Sequence, residues 1–110
     1  MKINKELLKG STTMLVLTLL KKRPMYGYEI IKNMELKSKG IFSFKEGTLY
    51  PILHTLEEEE LVNSFWNEGE NSRKRKYYEI TKKGSKFLNE KQEEWKLFTN
   101  TVNGIMFREE

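Results

Sequence analysis

Apolar residues recur at helical spacing through the first fifth of the chain. Leu8, Leu15 and Leu19 fall on one stripe; Leu7, Gly10 and Met14, spaced i, i+3, i+7, fall on a neighbouring one. The pattern predicts a first helix over residues 5–22 that is apolar over more than one face. Such a helix is either buried on most sides or turns its second stripe to a partner chain or ligand. Thr12, Thr13 and Val16 weaken it a little through their β-branching. Lys21-Lys22-Arg23 suits a helix C-terminus, where cations are favoured, and Pro24 ends the run. Ile30, Ile31 and Met34 make the core stripe of a second helix over 26–37, with Gly40 as the turn behind it. A third helix starts near Lys45–Gly47 and ends near Glu59. At about 100° per residue, Leu49, Ile52, Leu53 and Leu56 cluster on its core side. Gly47, Pro51, His54 and Glu58 fall opposite, flanked by Thr48 and Tyr50. Pro51 lacks an N–H and crowds the carbonyl of Gly47, so the helix starts late or bends there. Ser43-Phe44-Lys45-Glu46 matches a capping box, which favours an early start and a bend.

Beyond residue 60 the period changes. Residues 62–68 and 73–80 are rich in Val, Phe, Trp, Tyr and Ile and read as two strands, with Gly69-Glu70-Asn71-Ser72 as turn chemistry between them. Thr81 can cap a last helix over about 82–107. There Leu88, Trp95 and Val102 stand seven apart, and so do Phe98 and Ile105 on an offset row that Lys91 breaks. That seam suits coiled-coil-like packing. The rest of the chain offers no obvious core to cover so long a helix, so a second copy of the chain is its expected partner. The order is ααα-ββ-α. The expected fold is mainly α with a small β-hairpin (α+β): a winged helix-turn-helix over residues 1–81, then a C-terminal dimerisation helix over 82–110.

Composition narrows the function. The chain has 110 residues, enough for one domain with a modest core. It has no cysteine and a single histidine, His54, so no metal site is expected. No apolar run approaches the ~20 residues of a membrane span, and the N-terminus lacks a signal-peptide pattern. The expected setting is the cytoplasm, with no membrane contact. There is no Gly-rich phosphate loop and no nucleophile beside a base, so neither an enzyme nor a cofactor is expected. The net charge of +4 and pI near 9.2 favour polyanions mildly.

The placement of the cations says more than their number. A helix that reads DNA needs small or hydrogen-bonding side chains on its exposed N-terminal half. Lys45, Gly47, Thr48, Tyr50 and His54 meet that need on the third helix. Arg73, Lys74, Arg75 and Lys76 follow the hairpin turn, where cations can straddle a phosphate backbone. Arg73 and Arg75 would share one face of the strand, and Lys74 and Lys76 the other. Tyr26, Tyr28 and Lys32, near the start of the second helix, can add phosphate contacts. The acidic block Glu57–Glu60 reads as a solvated helix end kept off the DNA. Trp95 is either the largest knob in the seam or an aromatic platform for a flat ligand between two subunits, with the second stripe of the first helix helping to line the site.

Met25-Tyr26-Gly27-Tyr28-Glu29-Ile30, Gly47-Thr48-Leu49-Tyr50-Pro51 with Leu53 and Leu56-Glu57, and Lys76-Tyr77-Tyr78 with Ile80-Thr81 and Gly84 strongly resemble the PadR family of bacterial transcriptional regulators. The resemblance spans roughly residues 5–90, and the single last helix is similar to that of the short-tailed subfamily. It implies a homodimer formed through that helix and, typically, repression. Trp95 stands where the multidrug-binding regulators of the subfamily carry a stacking tryptophan, which implies that Leu7, Gly10, Met14 and Thr99 line the same cavity. Two positions depart from the family pattern. Glu60 stands where the family usually has a glycine in the left-handed conformation, a strain of roughly 1 kcal/mol. Thr55 stands where it commonly has arginine, which implies one phosphate contact fewer.

The expectation is a homodimeric regulator of double-stranded DNA, a repressor reading an inverted repeat, with a small planar hydrophobic effector bound at the dimer interface. The alternative is a winged-helix protein-interaction adaptor that uses Tyr50, Phe65 and Trp66 for protein contacts. An RNA-binding module is a weaker variant.

Overall fold

The computed structural model describes residues 2–68 and 73–108. The predicted turn at Gly69-Glu70-Asn71-Ser72 lies outside the described residues. The elements run α1 (Lys5–Lys9), α2 (Thr12–Lys22), β1 (Met25–Tyr26), α3 (Gly27–Lys37), α4 (Glu46–Glu58), β2 (Val62–Glu68), β3 (Lys74–Ile80) and α5 (Lys82–Phe107).

The predicted first helix is two helices. Ser11 donates its N–H at 2.9 Å and its Oγ–H at 2.8 Å to the carbonyl of Leu8. This local bonding competes with the helical ladder and ends α1 at Gly10–Ser11. Asn4 caps α1 by accepting the Glu6 N–H at 2.8 Å, yet α1 buries no residue. α2 is the central helix: Val16, Leu17, Leu19 and Leu20 are buried together with Ile30 and Met34 of α3, Leu49, Leu53 and Leu56 of α4, and Val62 and Tyr78 of the sheet.

α4 starts early, as the sequence suggested, but without the capping box. Phe44 is buried, which draws the chain out in an extended path through Lys45. Lys45 is therefore the N-cap, and its side chain caps nothing. The helix runs through Pro51. At its far end, Glu60 takes φ +63. Its N–H donates to Glu57 at 3.0 Å and that of Leu61 to Leu56 at 2.9 Å. This is a complete Schellman ending with glutamate in the left-handed position.

A strand that the sequence did not reveal completes the wing. The sheet is antiparallel in the order β1-β3-β2. Met25 pairs with Tyr78 and Tyr26 with Tyr77, while β2 pairs with β3 from Val62↔Ile80 to Glu68↔Lys74. Val62, Ser64, Trp66, Lys76, Tyr78 and Met25 thus share the inner face, and Phe65, Tyr77, Arg75 and Tyr26 the outer one.

α5 joins this body at its first turns. Thr81 caps it by accepting the Gly84 N–H at 2.9 Å, and donates its hydroxyl to the Glu60 carbonyl at 2.8 Å. A Cβ on Gly84 would strike the Leu61 carbonyl oxygen and lie 2.8 Å from Ile80 Cγ1. Only glycine lets the helix come so near. Leu88, expected in the dimer seam, is fully buried in the core of this one chain. The first repeat of the heptad is used up covering α2. The globular body therefore extends past residue 81.

Candidate nucleic-acid interface and the adjoining cavity

α3 and α4 form the helix pair, and their spacing is set by Gly27 and Tyr50. A Cβ at Gly27 would lie 2.8 Å from Cζ of the Tyr50 ring, so the tyrosine packs against bare backbone. Tyr50 remains 44% exposed and is shared between packing and the outer surface. Lys45, the N-cap of α4, and Gly47, Thr48 and His54 on the helix are all exposed, and the space around a Cβ on Gly47 is open. His54 Nε2 lies 2.6 Å from Glu58 Oε1, one turn on. Thr55 is exposed too.

The start of α3 adds Tyr28, which is exposed and has Lys32 Nζ 5.6 Å from its ring centre. Glu29 fixes this start: it accepts the Tyr26 N–H at 3.3 Å and pairs with Arg23 at 2.8 Å. Tyr26 itself lies at the edge of the sheet. Its ring is 5.4 Å from that of Tyr77, which stacks on Phe65 at 5.7 Å.

The register divides the basic run as expected. Lys74 and Lys76 belong to the inner face. Arg75 is on the outer face, 4.5 Å above the Tyr26 ring. Arg73, before β3, is exposed. Helix, helix start and wing thus gather the predicted residues on three neighbouring elements, with Arg75 turned away from Lys74.

The acidic block is not merely a solvated end. Glu57 turns to the wing: its carboxylate accepts a hydrogen bond from the Ser64 hydroxyl and lies 3.9 Å from Lys76 Nζ. Lys76 in turn lies 5.6 Å from the Tyr78 ring centre. Burial raises the Tyr78 phenol above its ordinary value, and the charges of Glu57 and Tyr50 push the same way. The sequence reading missed Glu57, Ser64 and Lys76 as a group. The hairpin register was the missing link, because only it shows that Ser64 and Lys76 share a face.

A cavity of about 540 Å³ lies between α1, the start of α2 and α5. Leu7, Gly10, Met14 and Trp95 line it together, as expected, with Phe87, Lys91, Glu94 and Phe98 on the α5 side. Thr99, also expected there, is not among the lining residues. Its hydroxyl donates back to the Trp95 carbonyl at 2.9 Å, as helical threonines do. The Trp95 and Phe98 rings lie 6.0 Å apart. From the cavity's rim outward the apolar row of α5 is bare: Phe98 is 56% exposed and Ile105 80%, with Val102 half-buried between them.

This arrangement has close counterparts. The model of the transcriptional regulator PadR-like family matches residues 16–90. The chain belongs to that family. A PadR-like regulator of this build binds DNA and controls transcription; it is not an enzyme. The adaptor reading gives way accordingly. Among solved structures, a transcriptional regulator from Clostridium thermocellum is 34% identical with a TM-score of 0.85, over 93% of this chain and 99% of that one. A PadR-like transcriptional regulator from Bacillus cereus is 31% identical with a TM-score of 0.82, over 96% and 100%. The Escherichia coli transcriptional regulator YqjI is 27% identical over 84% of this PadR-like chain, which spans only 43% of that protein's length. No helix among the described residues is long and apolar enough to cross a membrane.

Proposed function

We propose that the chain acts as a homodimeric repressor in the cytoplasm. Residues 1–81, with the first turns of α5 as far as Leu88, form its DNA-reading head, and the rest of α5 is its dimerisation arm. Two copies, joined along Trp95, Phe98, Val102 and Ile105, would present two α4 helices to successive major grooves of an inverted repeat. Thr48, Tyr50 and His54 would meet bases and phosphates, while the wing would supply affinity for the backbone.

A small planar hydrophobic effector would enter the cavity beside Trp95 and lower DNA affinity. Its effect would equal its differential affinity for the spacing that does not fit the operator.

The observation that carries this reading is that Trp95 and Phe98 belong at once to the cavity wall and to the bare seam. A ligand stacked there would touch the surface that sets the dimer. The test uses Trp66→Phe, which leaves Trp95 as the sole tryptophan. Titration with a planar aromatic dye should quench its fluorescence and release DNA carrying the promoter of the chain's own gene. Monomers in light scattering, or quenching that leaves DNA binding untouched, would refute the proposal.

A further inference from the structure

Resting on the helix-and-wing interface proposed above, we propose that Glu57 is a specificity-determining residue: it holds the wing at a fixed angle to the reading helix and keeps Lys76 off the DNA. One side chain of α4 reaches both strands of the hairpin, through Ser64 on β2 and Lys76 on β3. Its neighbour Glu58 pairs instead with His54 on its own helix, so Glu57 alone of the acidic block is seen to bridge to the wing among the described residues.

Two consequences follow from charge and geometry. A wing fastened to α4 can grip phosphates only in poses that also seat α4, so its affinity is tied to the correct sequence. An ammonium held beside a carboxylate gains less from phosphate than a free one, and phosphate attraction is blind to sequence. Lys76 and Glu57 are 40% and 36% exposed, so their pair adds little to folding. Its effect belongs in discrimination between duplexes.

The test uses the full chain and two duplexes: one recovered by the wild-type protein from a random-sequence pool, and one of mixed sequence lacking that site. Glu57→Gln keeps an acceptor for Ser64 but removes the charge beside Lys76. It should bind the mixed duplex more tightly, with a salt slope steeper by about 0.9, and the preference for the recovered duplex should fall about tenfold. Lys76→Met added to Glu57→Gln should reverse the gain on mixed DNA. Ser64→Ala, which frees only the β2 side, should lower the preference without raising affinity for mixed DNA. A residue that only supports the fold would lower both affinities together. That outcome, or an unchanged preference and slope in Glu57→Gln, overturns the assignment while leaving the interface itself standing. Recovery of no duplex by the wild-type protein would take down both.

Discussion

Arg75 and Tyr26 meet on the outer face of the sheet, the guanidinium carbon 4.5 Å from the ring centre, while Lys74 points to the opposite face. The basic run is therefore not one uniform patch. Replacing Arg73 and Lys74 with alanine should weaken binding to every duplex and reduce the slope of log affinity against log salt by about 1.8, two phosphates' worth. Arg75→Ala should change the slope less than the double variant does. An unaltered slope in the double variant would remove the wing from the phosphate backbone.

Glu60 holds a φ of +63 that glycine adopts without strain. Glu60→Gly should stabilise the protein by about 1 kcal/mol, visible as a melting temperature a few degrees higher. The Schellman bonds use only backbone, so they survive the change. A lower melting temperature would show that the glutamate side chain contributes more than its backbone costs.

Leu88 and Ile105 separate folding from association. Leu88 is fully buried within one chain, and Ile105 is 80% exposed. Leu88→Ala should destabilise by about 2–5 kcal/mol through lost contacts and a cavity. Ile105→Asp should leave the fold of the single chain intact and shift sedimentation toward the monomer. If Ile105→Asp still sediments as a dimer, the seam lies elsewhere.

Tyr78 predicts an alkaline sensitivity. Its phenol is raised above the ordinary value of about 10, first by burial and then by Glu57 and Tyr50. A raised acid favours the protonated folded form. Its contribution is complete below the unfolded value and is lost as pH climbs from there through the folded value. Stability measured by urea unfolding should fall less between pH 9 and 11 in Tyr78→Phe than in the wild-type protein. Parallel losses would mean that lysine deprotonation, not Tyr78, governs that range.

The sequence displayed the long elements because their periods are long. The boundaries of α3, α4, β2 and α5 fall within a residue or two of those read from Ile30, Leu49, Phe65 and the heptad. It hid β1, because two residues cannot show a period. It hid the break at Ser11, because a hydroxyl bonding back to Leu8 leaves no mark on an apolar stripe. The lining of the cavity by Leu7, Met14 and Trp95 was legible as a second stripe facing an aromatic. Thr99, implied by the family resemblance, does not line it in the single chain, since a helical threonine can satisfy its hydroxyl on its own backbone. Leu88 was misplaced because a heptad does not say which of its rungs a monomer keeps for itself.

The joint at Gly84 and Thr81 makes α5 a lever with a stiff elbow. The helix has 26 residues, so it reaches about 39 Å from the clasp on Glu60 and Leu61. With the elbow locked, a tilt of about 5° at one end sweeps the other through roughly 3 Å, close to the axial step between base pairs. On the proposed dimer, a tilt of that size at the elbow would shift one reading head against the other by about one base-pair step.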